Sequence, residues 1–248
     1  MQPAANPRPR RLIVNADDFG QTPGINDGVI RCYERGILTS ASLMVRWPEA
    51  RAAAKYAREA RGLSVGLHID LGEWAYRNGE WVPLYSVTVI DDPGAVRTEV
   101  LQQLETFRRL IGSDPTHLDS HQHVHRLTPV DRIVGDLGES LGIPIRQRGD
   151  AIRYVGSFYG QGAKGEQLSD RMTVQHLRTI IEALPIGTTE VGCHPGTGRD
   201  APGMYIVERE QEVAVLCDPE VRATIDAEHI QLISFRDLVG RNPNRGTV

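Results

Sequence analysis

Cysteine is scarce. Three residues, Cys32, Cys193 and Cys217, in a chain of 248 exclude a disulfide framework, and their wide spacing excludes a zinc knuckle. A reducing compartment, and hence a cytoplasmic protein, is the simplest expectation. No uninterrupted apolar run approaches the ~18 residues of a membrane span, so no membrane partner is expected. Met1 to Arg11 carries prolines and arginines in place of the apolar core of a secretory signal, and reads as a short flexible lead-in over residues 1–11. Neither sign of charge dominates. Against 28 Lys and Arg stand 32 Asp and Glu, a net of −4, which provides no basic face for nucleic acid.

What is present is ordinary globular material. Hydrophobic residues make up 40% and charged residues 24%, which excludes a disordered chain. Strand and helix patterns alternate. Leu12–Ala16 reads as a buried strand running into a polar loop at Asp17-Asp18-Phe19-Gly20. A helix pattern follows over 24–34, a strand over 42–45, a helix over 48–61 and a strand over 63–69. The stretch 70–89 reads as a long excursion and 93–111 as a helix. The spacing then predicts a strand over 116–124, a helix over 129–141, a short strand over 143–145 and a loop over 151–168. A helix over 173–184, a strand over 189–193, helices from Val207 and Pro219, a strand over 230–233 and a short final helix complete the chain. This order predicts an α/β fold with a parallel sheet, open or closed into a barrel. No linker divides it, so residues 12–248 are expected to form one domain, with 70–89 and 151–168 as loops over one end.

Titratable residues gather where these strands end: Asp17 and Asp18 after the first, His68 on the third, His117 to His125 on the fourth, His194 on a later one. The C-terminal ends of parallel strands are where such folds build sites. Side chains alternate along a strand, so Asp119, His121 and His123 are expected to face the interior together. So many titratable groups are expensive to bury unless paired or bound to an ion. His68, His121 and one aspartate form a set of two imidazoles and a carboxylate that suits a divalent cation with open positions. Of Asp17 and Asp18 one would ligate and the other serve as general base; adjacent strand residues point oppositely, and the assignment Asp18 ligand, Asp17 base is open to reversal at this point. His194, fixed before Pro195, is expected to donate a proton or touch substrate. Arg146 is expected to pair with an acidic group or a substrate oxygen. Asp119, His123 and His125 are expected to bind substrate or support the ligands. Trp74, Trp81 and Tyr85 either form a sugar-stacking surface, pin their own loop to the barrel or form a dimer contact. Cys193 reads as core.

Asn15-Ala16-Asp17-Asp18-Phe19-Gly20, Gly66-Leu67-His68, His117 through His125 and Glu190-Val191-Gly192-Cys193-His194-Pro195-Gly196 resemble, in order, the motifs of the YdjC-like carbohydrate deacetylases, which include the chitooligosaccharide deacetylases. The resemblance implies a distorted β/α barrel of mostly parallel strands, related to the NodB-type polysaccharide deacetylases. It implies one divalent cation, magnesium in relatives, on Asp18, His68 and His121, with Asp17 as base; a histidine-rich set suits zinc as well. The activity implied is hydrolysis of an N-acetyl group on an amino sugar or short oligosaccharide. Two other readings use the same residues: a metal-dependent phosphoesterase, which would favour two metals and a basic rim, and a non-catalytic sugar-binding protein with a closed metal shell. A homodimer is the base-rate expectation for assembly.

Overall fold

The apolar run at Leu12–Val14 lies at the centre of a parallel sheet. In the computed structural model, which describes residues 9–239, it belongs to β1 (Arg10–Phe19), buried from Leu12 onward. The lead-in expected over 1–11 lies outside the described residues up to Arg8, while Arg10 and Arg11 already pair in β1 with β8 (Gly187–Cys193). The chain continues through α1 (Pro23–Arg35), β2 (Ser40–Leu43), α2 (Ala50–Glu59), β3 (Ser64–Ile69), β4 (Gly72–Arg77), β5 (Glu80–Ser86) and α3 (Pro93–Ile111). There follow β6 (Leu118–Ser120), α4 (Val130–Leu141), β7 (Ile152–Val155), α5 (Val174–Glu182), β8, α6 (Val207–Leu216), α7 (Pro219–Ala227) and β9 (Gln231–Leu232). Helix starts follow local chemistry. Thr22 and Asp92 accept from backbone N–H groups at the starts of α1 and α3, and proline opens both helices.

The main sheet runs β6-β3-β2-β1-β8-β7, with β9 beside the start of β1, and every pairing in it is parallel. The path has two ends, so the expected distorted barrel is a curled half-barrel, open along the seam between β6 and β7. All these strands deliver their C-terminal ends to one rim. No helix among the described residues is long and apolar enough to cross a membrane.

Several expectations are corrected. Asp17 and Asp18 are part of β1, not a loop after it. The strand expected over 116–124 stops at Ser120, because Gln122 (φ 49°) and His123 (φ 55°) turn the chain into a tight 3-10 segment, His121–Arg126. Ile143–Ile145 contributes one bridge, Ile145 to Leu118, instead of a strand. The stretch 151–168 contains β7. The excursion at 70–89 is an antiparallel hairpin, β4–β5, turned at Asn78-Gly79 with φ 54° and 93°; Asn-Gly with both residues left-handed is the favoured two-residue hairpin turn.

Packing under the site is close. The His117 ring stacks on Phe235 with centroids 3.8 Å apart, and its Nε2 lies 3.0 Å from Ser42 Oγ. Gly66 on β3 lets that ring in, since a Cβ there would lie 2.4 Å from His117 Cε1. Gly66→Ala is expected to lower stability by about 1–3 kcal/mol through overpacking, read as a lower urea midpoint. An unchanged midpoint would show that the ring has room to move.

Candidate active site

Asp17 and Asp18 are neighbours in sequence, yet both point into the half-barrel. Pairing of β1 with β2 shifts register between Ala16 and Phe19, and Asp18 takes φ 63°. This bulge re-aims one side chain, and aspartate is among the few residues that accept a left-handed backbone. The rule that adjacent strand residues face oppositely therefore fails here.

The two carboxylates meet different partners. Both oxygens of Asp17 accept from Arg146, Oδ2 from Nη1 at 2.6 Å and Oδ1 from Nη2 at 2.7 Å. Asp18 Oδ2 accepts from Arg209 Nη2 at 2.6 Å. Its Oδ1 faces two imidazoles, His121 Nδ1 at 3.0 Å and His68 Nε2 at 3.4 Å. Burial alone would raise the Asp18 carboxyl, but Arg209 and His121 outweigh it and hold it well below the ordinary value. Asp17 is likewise lowered, with burial opposed by Arg146 and His68.

Among the described residues, two donor groups have ligand atoms within 4.8 Å of one another: Asp18 with His68 and His121, and Asp17 with His68 and Asp119. In the second, the carboxylates are already engaged. Asp119 takes Ser42 Oγ at 2.6 Å, His68 Nδ1 at 2.8 Å and Arg146 Nη2 at 2.9 Å. In the first, Asp18 Oδ1 is left for a cation, and His68 offers Nε2 while Asp119 fixes its other nitrogen. A carboxylate behind a ligating histidine is the usual way to fix its tautomer and aim. The residues of the first group therefore fit a divalent cation.

Arg146, 2% exposed, pairs with acidic groups, the first of the two roles expected of it. It is itself sealed from solvent, but its partner Asp17 lines the cavity. Its guanidinium joins Asp17 to Asp119 and to Glu190 Oε1, the last at 2.7 Å. Burial holds the Glu190 carboxyl up at about 7 even beside Arg146. His125 donates Nε2–H to Arg146 O at 3.1 Å, and its Nδ1 lies 2.7 Å from Ser120 Oγ, so it braces the arginine backbone. His123 lines the cavity with its Nδ1 buried and unpartnered. His194 Nε2 lies 3.7 Å from Asp17 Oδ2. Burial keeps its imidazole neutral, lowered to about 4.

The cavity above these groups measures about 370 Å³ and includes Asp17, His68, His121 and His194 in its wall, the scale of a small-molecule pocket. Of the three aromatics expected as a stacking surface, Trp74 lines it. Trp81 is 51% exposed and packs on Tyr76 within the hairpin, and the Tyr85 hydroxyl donates to Asp70, just after β3, which ties the hairpin to the main sheet. Tyr154, Tyr159 and Tyr205 line the cavity as well, with the last two stacked at 4.4 Å.

Sequence reading missed Arg209, Glu212, Glu73 and Glu190. Arg209 Nη1 donates to His194 O at 3.2 Å while Nη2 holds Asp18. Glu212 accepts from His194 N and from the Tyr205 hydroxyl. The available signal was on α6, where Arg209 and Glu212 occupy the same helical face as Val213 and Leu216, all buried; charges at core spacing need partners.

Both the sequence and the fold have known relatives. The family described as YdjC-like protein matches residues 11–227. A carbohydrate deacetylase of Geobacillus stearothermophilus is 34% identical over 252 residues, covering 93% of this chain and 98% of its own. A chitooligosaccharide deacetylase of Serratia marcescens is 31% identical over 257 residues, covering 92% and 98%. Among solved structures, a proposed cellobiose-phosphate cleavage protein of Enterococcus faecalis V583 shares the fold, with a TM-score of 0.73 at 23% identity over 93% of this chain and 99% of the other.

Arg146→Met would leave buried carboxylates without their cation. It is expected to cost about 3–5 kcal/mol near neutral pH. In the wild type Asp17 and Asp119 are depressed, so their contribution holds above the unfolded value of 3.8 and fades as pH falls through the lower folded values. In the variant, burial dominates and raises them, so falling pH favours its folded state by protonating them there. Urea unfolding should show the deficit narrowing from pH 7.5 toward pH 4.5; a pH-independent deficit would mean that lost packing, not charge, is responsible.

Proposed function

The chain belongs to the YdjC-like family, and from that premise we propose that it is a metal-dependent carbohydrate deacetylase, which hydrolyses the N-acetyl group of an amino sugar or short oligosaccharide to acetate and a free amine. The observation that carries this reading is one pocket holding two devices side by side: the Asp18, His68 and His121 donor set, and the Asp17–His194 pair at 3.7 Å. Binding alone does not require the second.

Asp18, His68 and His121 would hold a divalent cation, which when bound would supply Lewis acidity toward the amide carbonyl and the attacking water. Magnesium is the family's expectation, and two imidazoles suit zinc equally. Asp17 accepts the proton of the water. Arg146 keeps it ionised at neutral pH and fixes where its oxygens point, so it works as an aimed acceptor. His194 starts neutral, because burial disfavours its charged form. It therefore has to gain a proton before it can donate one, and Asp17 Oδ2, 3.7 Å from Nε2, is the source at hand. His194 then protonates the leaving amine nitrogen. Trp74 and the three tyrosines line the cavity and suit the apolar faces of a sugar ring.

The test is acetate release from N-acetylated sugars, from monosaccharide to short chitin oligomers, with protein loaded with one divalent metal at a time. Wild type is expected to release acetate from at least one. Asp17→Asn should lose about 10²–10⁴-fold in kcat while retaining its metal. Near wild-type turnover in Asp17→Asn would remove Asp17 from the mechanism, and a metal-loaded wild type that releases no acetate from any sugar would overturn the activity.

A further inference from the structure

We propose that Glu73, carried by the β4–β5 hairpin, is the outer carboxylate that orients His121, so that cation binding and docking of the hairpin reinforce one another. The inference rests on the reading of Asp18, His68 and His121 as the donor set.

The two imidazoles of that set are held in parallel fashion. His68 turns Nε2 to Asp18 Oδ1 and gives Nδ1 to Asp119 Oδ1 at 2.8 Å. His121 turns Nδ1 to Asp18 Oδ1 at 3.0 Å and points Nε2 at Glu73 Oε2, 3.7 Å away. Both of the latter atoms are buried without a hydrogen-bond partner, and the Glu73 side chain is 8% exposed. A ligating imidazole donates its remaining N–H to an oxygen that fixes tautomer and ring plane. Asp119 does this for His68, and Glu73 Oε2 is the oxygen placed to do it for His121. Closing the gap to hydrogen-bond length requires a shift of several tenths of an ångström. The carboxyl is hemmed in on its other side by Gly203, where a Cβ would lie 2.0 Å from Glu73 Oε1.

The neighbouring residues grip in the same way. Gln122 accepts from Trp74 N at 3.0 Å and donates to Trp74 O at 2.8 Å. Residues 73 and 74 of the hairpin thus hold residues 121 and 122 of the turn. Glu73 acts through His121, as a positioning residue. By reciprocity, whatever docks the hairpin raises cation affinity, and the cation docks the hairpin to the same extent.

The experiment titrates metal-free protein with Co²⁺ alone and follows its visible ligand-field spectrum, for wild type, His68→Ala, Glu73→Gln and Glu73→Leu. Amide exchange of residues 72–86 is measured in wild type with and without Co²⁺. Glu73→Leu is expected to weaken binding about 10–100-fold, and Glu73→Gln by less, since its amide oxygen still accepts. The spectrum of the saturated Glu73 variants should match wild type, and hairpin exchange should slow with Co²⁺. Wild-type affinity in Glu73→Leu overturns the inference. So does an altered spectrum, which would make Glu73 itself a ligand. Should Glu73→Leu not fold, hairpin exchange decides, and exchange indifferent to Co²⁺ overturns the coupling. Wild type that binds no Co²⁺, or His68→Ala that binds it equally well, overturns the donor set and this inference with it.

Discussion

A guanidinium removed from water sits between carboxylates from three strands. Arg146 reaches Asp17 on β1, Asp119 on β6 and Glu190 on β8. These strands lie on both sides of the open seam of the half-barrel, so the arginine crosses from inside a gap that backbone pairing leaves. An isolated buried charge of either sign would be expelled or neutralised. Only the assembly makes each member tolerable, and the planar fork of arginine can serve several carboxylates where the compact ammonium of a lysine could not. The site depends on this cluster in two ways. It keeps Asp17 charged and aimed, and it fixes Asp119, which in turn fixes His68.

The same economy of position separates two adjacent aspartates. The bulge at Asp18 brings both into one interior, and two arginines from distant parts of the chain then distinguish them. Arg146 occupies both oxygens of Asp17, whereas Arg209 occupies one of Asp18 and leaves the other facing His68 and His121. α6 extends this control to the third strand end. Arg209 and Glu212 hold the carbonyl and the N–H of His194, so Asp18 and His194 share one framework.

Much of this was legible in the sequence because strand ends are local. The apolar run before Asp17-Asp18, the Gly-Leu-His of β3 and the Cys-His-Pro after β8 each place a polar residue at the end of a buried strand, and parallel topology brings those ends to one rim. What was not legible depended on backbone exceptions or on distance. Alternation along a strand predicted one face for Asp119, His121 and His123, but the left-handed Gln122 and His123 end that strand at Ser120. The β4–β5 hairpin carried an Asn-Gly turn that a length argument about loops passed over. Arg209 lies 191 residues from its partner Asp18, and no local pattern links them. Glu73 had no visible role until folding set it against His121.

The central claim is that the rim holds its cation on Asp18, His68 and His121 while Asp17 remains with Arg146 as a free-standing base. Anomalous diffraction from a crystal of the Co²⁺-loaded protein locates the ion directly. The expected result is a peak bonded to Asp18, His68 and His121 with the Asp17–Arg146 pair intact. A peak lying between Asp17, His68 and Asp119, with Arg146 displaced from them, would contradict the account.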